Sequence, residues 1–307
     1  MFLWGILLVD MEILRREIPV RELGEVARQQ LAQEGEAVVL GVTSRGAFIR
    51  LEAGWVIFLS TESFRGPLTL NVGGEAPELQ GLENGMPAQV TPAGLFFPHV
   101  GVMVDVRQAE VWQASLPPRA FLPSPQRNEQ LIQVTWRALA GQPGSQLSAC
   151  LPLLLGIESV PSDGENTTLS LLCRLQHSFI EHQIVAITEG LEALLGLGSG
   201  LTPSGDDLTA GCLLTLRRWG YVLAPGLDVQ AIGDSLLPMA YRKTTTLAAN
   251  LIECATLGQA NERLILALDG MMTGQPDSQA CAGYLAGWGN TSGLDALVGM
   301  ALIFTAC

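Results

Sequence analysis

The hydrophobic period changes once along this 307-residue chain, and that change constrains the fold more than any other feature. From Ala37 to about Ser115 the apolar residues fall in short runs: AVVLGV, GAFIRLE, GWVIFLS, PLTLNV, AQVT, VGVMVDV and EVWQAS. Turn signals separate them, among them Ser44-Arg45-Gly46, Ala53-Gly54, Gly73-Gly74 and Asn84-Gly85. Short strands at this spacing, with no helical pattern between them, predict an antiparallel β-barrel or sandwich, preceded by a helix over residues 20–33. Beyond the proline-rich stretch LPPRAFLPSPQ the apolar residues recur every three or four positions, as in NEQLIQVTWRALA, SQLSACLPLLLGI, TLSLLCRLQHSFIEHQIVAITEGLEALLG, TTTLAANLIECATL, ERLILALDGM, SQACAGYLAGW and LDALVGMALIF. That pattern predicts buried helices. The expected fold class is α+β: a β-rich N-terminal domain over residues 1–116, a linker over 117–126 and an all-α domain over 127–307.

Seventeen Lys plus Arg against thirty Asp plus Glu give a net charge of -13. Binding nucleic acid through its phosphates needs clustered cations, so that class is excluded. Hydrophobic residues at 48% and charged residues at 15% exclude disorder, and the low charge hints at surface covered by partners. Cys150, Cys173, Cys212, Cys254, Cys281 and Cys307 form no C-x-x-C pair, and the first five sit in apolar helical stretches. Buried thiols in a reducing compartment are expected. The apolar run at residues 2–9 has no basic residue before it and no small-residue cleavage site after it, is too short to span a bilayer, and is followed by Met11 as an alternative start. A cytoplasmic protein with no membrane partner is expected.

The most informative segment is G-L-G-S-G-L-T-P-S-G-D-D over residues 196–207, which runs directly into LTAGCLLTLRRW. Glycines at 196, 198 and 200 allow positive φ and can turn several N–H groups toward one point. Ser204 and Asp207 form an S-x-x-D pattern, an N-cap with an acid three residues on. The pattern S-G-x-D-x-x-x-G occurs twice, as Ser204-Gly205-Asp207-Gly211 and as Ser292-Gly293-Asp295-Gly299, so one device opens two helices. Either copy alone is an ordinary helix start followed by a packing glycine. Together they suggest two positive helix ends converging on one anion, a carboxylate or phosphate. Gly198, Ser199, Gly200, Thr202, Ser204 and Gly205 are the candidate contacts in the first copy. Asn290, Thr291, Ser292, Gly293 and Asp295 are those in the second.

Asp206 and Asp207 are either solvated first-turn acids or magnesium ligands working with a substrate phosphate. Arg242, Lys243, Thr244 and Thr245 form a third candidate: Arg offers a fork for an anion, while Thr244 or Thr245 also suits an N-cap. No P-loop exists, Lys243 being the chain's only lysine, and the glycine spacing is not that of a dinucleotide fingerprint. His177 and His182 lack the i, i+4 spacing of helical metal ligands, and His99 falls in a loop. No local pattern marks a catalytic base.

At these residues the chain resembles the AllH-like family, named for a subunit of oxamate carbamoyltransferase. Gly196 to Gly211 is similar to the family's G-x-G-x-G-L-T-P-S-x-D-D-x-L-x-G segment, with Leu208 one place early. Gly289 to Gly299 is similar to its G-x-T-S-G-x-D-x-L-x-G segment, with Asn290 where histidine is common. The helix from Thr244 to Gly258 looks like its middle element, and Gly46 to Ser60 resembles its strand pair. The resemblance implies carbamoyl transfer between oxalurate and phosphate, giving oxamate and carbamoyl phosphate. It also implies partner subunits, one of them acyl-CoA-synthetase-like. Two other readings stand beside it: a non-catalytic scaffold subunit holding an anionic effector, and a magnesium-dependent phosphate-handling enzyme.

Overall fold

The computed structural model describes residues 16–73, 79, 81–159 and 167–306. The apolar run at 2–9, Met11, Gly74 and Cys307 lie outside the described residues. The chain divides into two compact units, Met1–Trp112 and Gln113–Cys307.

The first unit carries β1 (Arg16–Pro19), β2 (Glu22–Gly24), α1 (Glu25–Leu31), β3 (Gly35–Thr43), β4 (Gly46–Leu51), β5 (Val56–Ser60), β6 (Thr69–Asn71), β7 (Pro87–Thr91), β8 (Gly94–Phe97), β9 (Val102–Asp105) and β10 (Glu110–Trp112). The strands form one sheet in the order β1-β9-β8-β7-β3-β4-β5-β6-β2-β10, curled into a half-barrel. One face of it buries Ile49, Ile57, Leu59, Leu70, Leu95 and Phe97, with Ala27 and Leu31 of α1 in the same core. Full burial of such side chains stabilises the fold by about 1.5–3 kcal/mol each. On the other face Phe48 stands opposite Phe58 in the β4–β5 register, their ring centroids 4.6 Å apart.

The α+β class read from the sequence holds, with local differences. Pairing is antiparallel along β9-β8-β7-β3-β4-β5 and between β6 and β2, but β1 with β9, β5 with β6, and β2 with β10 are parallel. Run length and spacing report that a strand exists, not which neighbour it joins. The helix expected over 20–33 begins only at Glu25, because Glu22–Gly24 is drawn into the sheet between β6 and β10.

The second unit contains α2 (Arg127–Gly141), α3 (Leu151–Leu154), α4 (Thr167–Ile180), α5 (Ile184–Glu192), α6 (Ser204–Leu223), α7 (Val229–Lys243), α8 (Thr246–Thr256), α9 (Glu262–Thr273), α10 (Ser278–Ala286) and α11 (Ser292–Phe304). Every residue of α11 is buried, and α6 is buried over most of its length. These two helices make the most extensive helix–helix contact in the unit. The long apolar run around residues 168–196 is two helices, not one: His182 adopts φ 53° between α4 and α5. Pro238 lies inside α7, which masked that helix in the sequence. Cys150, Cys212, Cys254 and Cys281 are buried thiols as expected, whereas Cys173 is exposed. No helix among the described residues is long and apolar enough to cross a membrane.

The proline-rich stretch and the residues just before it are tied to the helices of this unit by hydrogen bonds to their backbone. The Gln259 side chain donates to the Ala114 carbonyl (2.8 Å) and accepts from the Ala114 N–H (3.0 Å). The Ser124 N–H donates to the Met272 carbonyl (2.7 Å). Deeper in, Arg218 is 3% exposed and donates twice to Asp269 (2.6 and 3.2 Å) and once to the Gly258 carbonyl, while the Trp219 indole N–H donates to the same carboxylate (2.7 Å). A buried guanidinium tolerates burial only while its charge and donors are matched. Asp269→Ala is therefore expected to destabilise the helical unit by about 3 kcal/mol, read as a lower urea midpoint in Trp219 fluorescence, with Asp269→Asn losing less.

Candidate functional site

The two S-G-x-D-x-x-x-G copies lie side by side. A Cβ on Gly211 of α6 would sit 2.2 Å from the Ala296 carbonyl oxygen of α11, and one on Gly299 of α11 would sit 2.0 Å from the Leu208 carbonyl oxygen of α6. Backbone meets backbone at both points, which only glycine permits. The first turns also meet, Ser204 with Asp295 and Ser292 with Asp207, so the helices run parallel, with their N-termini together. The loops leading in are alike too. The Gly205 N–H donates to the Leu197 carbonyl (2.9 Å) and the Gly293 N–H to the Trp288 carbonyl (3.0 Å). Helix–loop–helix α5-α6 and helix–loop–helix α10-α11 thus repeat one arrangement.

The serines do not act as the sequence suggests. Pro203 and Thr291 occupy the N-cap positions, and neither makes a side-chain cap; Ser204 and Ser292 are the first helical residues. Their hydroxyls cross over instead. Ser292 of α11 serves the carboxyl of Asp207 on α6, and Ser204 of α6 serves the carboxyl of Asp295 on α11. S-x-x-D is a local capping signal, but here a parallel neighbour at glycine distance offers each acid a better partner than its own helix does. The Thr202 and Ser292 hydroxyls lie 3.1 Å apart above this exchange.

Three acids end up buried at the paired N-termini: Asp206 at 1%, Asp207 at 5% and Asp295 at 0% exposure. Burial raises the pKa of all three, most for Asp207, which Asp295 and Asp206 push further by charge repulsion. Hydrogen bonds from Ser292 and Thr202 to Asp207, and from Ser145, Ser204 and Thr291 to Asp295, pull the other way. One oxygen of Asp207 and one of Asp295 are buried with no hydrogen-bond partner. Asp206 is differently placed. One of its oxygens accepts the Gly196 N–H (2.9 Å) and the other accepts the Thr244 hydroxyl.

The glycine loop forms the exposed lip. Gly196, Gly198 and Gly200 have φ of 75°, 120° and 96°, the conformations that the alternating glycines predict. Gly198, Ser199, Gly200 and Leu201 are exposed, as are Gly289 and Asn290 on the opposite loop. The third candidate segment is joined to the first. Thr245 caps α8 through the Ala248 N–H (3.1 Å), and its hydroxyl donates to the Leu201 carbonyl; Thr244 reaches Asp206. The cations of that segment are partly engaged elsewhere: Lys243 pairs with Glu192 (2.8 Å), and Arg242 is exposed and contacts the Met239 sulfur. Among the described residues no group of three or more His, Cys, Asp or Glu side chains is arranged to hold a metal ion.

One member of the site was missed in the sequence. The Ser145 hydroxyl donates to Asp295, and Ser145 is itself fixed by Ser148, whose hydroxyl accepts the Ser145 N–H (2.7 Å). The turn Gln142-Pro143-Gly144-Ser145 marks only a loop, and nothing local ties it to a helix 150 residues later.

The two glycine loops, the threonine turn and the three buried acids all fall within one stretch. Residues 194–304 match the family model for oxamate carbamoyltransferase subunit AllH. The resemblance carried by the two glycine motifs is borne out over that stretch, which contains both loops, the threonine turn and all three acids. Neither the curated proteins nor the solved structures contain a match to the chain. The AllH-matching stretch begins at Leu194, whose carbonyl oxygen packs against Gly205, and ends at Phe304, the last residue of α11.

The raised carboxyls give this stretch a pH signature. The folded chain holds protons that the unfolded chain, titrating near the ordinary 3.8, releases. Their contribution to stability is therefore fullest below that value and is lost as pH rises through the folded-state values. Asp207→Asn removes the largest of these shifts. Its melting temperature is expected to fall less than that of the native chain between about pH 4 and pH 8, as followed by calorimetry.

Proposed function

We propose that this chain is a substrate-binding subunit of an oxamate carbamoyltransferase-like enzyme, with its site where the 196–202 loop, the 244–245 turn and the 289–292 loop meet over the buried acids. The supporting observation is that convergence, together with the match of this stretch to a carbamoyltransferase subunit. In the reaction, a phosphate oxygen attacks the terminal ureido carbonyl of oxalurate. The bond from that carbon to the oxamate nitrogen breaks, and the nitrogen takes up a proton. The products are oxamate and carbamoyl phosphate.

The chemistry asks for two unlike surroundings, and the residues supply both. Carboxylate and phosphate suit the exposed lip, where glycine backbone, Ser199, Thr202, Asn290 and the Arg242 guanidinium are near solvent. The helix ends beneath are already occupied by the protein's own carboxyls, so an anion is held above them and not between them. Asp207, whose carboxyl burial pushes toward its protonated form, is a group able to hold the proton that the leaving nitrogen needs. A family name that contains "subunit" implies other chains, and the acyl-CoA-synthetase-like protein is the proposed partner.

Thr202 tests this reading. Thr202→Val removes one hydroxyl beside Asp207 and Ser292 and keeps the side-chain shape. In the complex reconstituted with its partner subunits, turnover of oxamate with carbamoyl phosphate is expected to fall about tenfold or more, with little change in melting temperature. Native turnover would count against the site. A drop in melting temperature with matching loss of assembly would mean that the hydroxyl network is only a scaffold.

A further inference from the structure

Asp207 and Asp295 are buried together at the head of the helix pair. Asp295 and Asp206 are the charged groups that act on Asp207, and among the described residues no cation is paired with any of the three. Two carboxyls in such a place do not ionise together, because the first charge opposes the second. Each keeps one oxygen without a partner, so the difference between them lies in their donors. Three hydroxyls serve Asp295, those of Ser145, Ser204 and Thr291. Only Ser292 and Thr202 serve Asp207, and these two hydroxyls also stand 3.1 Å from each other. When one donates to the other, a single hydroxyl proton is left for Asp207. A protonated Asp207 completes that arrangement, since it can donate to the hydroxyl whose own proton is spent.

Ser145 has no such freedom. Its hydroxyl oxygen accepts the Leu147 and Ser148 N–H groups, 3.1 Å each, which fills its lone pairs. The neighbouring Ser148 hydroxyl accepts the Ser145 N–H (2.7 Å) and donates to the Ser145 carbonyl (3.2 Å). The one proton of the Ser145 hydroxyl is thereby directed to Asp295. We infer that Ser145 is a positioning residue acting through Asp295: its fixed donor keeps the negative charge of the buried pair on Asp295 and leaves the proton on Asp207. A donor bonded to a carboxyl favours the ionised form, and burial acts in the same sense by raising Asp207 furthest. The placement of the proton stands on hydrogen bonds alone. Its consequence for turnover rests on the proposed role of Asp207 and deepens it, since a residue outside the 194–304 stretch then keeps the proton donor loaded.

Carboxyl carbon-13 NMR of the full-length chain follows both acids through a pH titration, with Asp207→Asn and Asp295→Asn assigning the two resonances. Asp295 is expected to lose its proton at the lower pH. In Asp207→Asn that step is expected to stay in place, because an amide and a protonated carboxyl are both uncharged. In Asp295→Asn the Asp207 step is expected to move down, the neighbouring charge being gone. Ser145→Ala is expected to move the Asp295 step up by about one pH unit, and Ser145→Thr, which restores the hydroxyl, to return it. A merely structural role would lower the melting temperature without moving that step. Ionisation of Asp207 before Asp295, or an Asp295 step unmoved in Ser145→Ala, overturns the inference and leaves the site's assignment standing. The order of the two steps decides the matter even if Ser145→Ala does not fold. In the complex reconstituted with its partner subunits, the acid limb of turnover is expected to rise with the Asp295 step in Ser145→Ala at unchanged KM. A moved NMR step with an unmoved limb counts against the proposed site and leaves the proton where it is placed here.

Discussion

The close passage of α6 against α11 governs the rest of the helical unit. At Gly211 and Gly299 the backbones are near enough that any side chain would strike a carbonyl oxygen. That distance brings the first turns within hydroxyl reach, so Ser204 and Ser292 can each serve the other helix's carboxyl. Two parallel helix dipoles repel when set side by side, and both ends here are positive. Placing three acids at the paired ends offsets that repulsion from within. Packing glycines, crossed serines and buried aspartates are therefore one device. A helix pair this close and parallel would be poorly matched electrostatically without carboxyls at its head.

Both copies of the device were legible in the sequence, and so was their equivalence. The crossing was not. S-x-x-D is a statement about one helix, and it remains true of either copy until the second helix is brought alongside. Thr245 shows the opposite outcome: its expected role as a cap holds, and its hydroxyl additionally ties α8 to the glycine loop. Ser145 was invisible because its only mark is a Pro-Gly turn, and a turn does not say what it approaches. In the β-rich unit the strands could be read from composition, but the parallel partners could not. β1 and β10 each join the edge of the sheet through neighbours far along the chain, and strand propensity carries no such address. β8 and α7 show two ways in which a real element is hidden: GLFF is too short to stand out, and Pro238 interrupts a helical pattern that the fold nevertheless keeps.

The symmetry of the helix pair is broken at one position, and the break gives the proposed site its orientation. Two residues after Ser204 stands Asp206; two after Ser292 stands Leu294, a fully buried apolar side chain. Asp206 takes the Gly196 N–H and the Thr244 hydroxyl, so the first glycine loop and the threonine turn are bound together on the α6 side alone. On the α11 side the acid is fixed from a different direction, by Ser145. A symmetric scaffold thereby acquires unequal flanks: a firmly tied glycine lip over α6 and a shorter loop, Gly289-Asn290-Thr291, over α11. A substrate whose two ends differ in charge needs such a difference to bind in one orientation. The repeat supplies two carboxyls at fixed separation, and the single exchange of leucine for aspartate decides which of them lies under the lip. The asymmetry that the proposed site requires thus comes from where the repeat departs from itself.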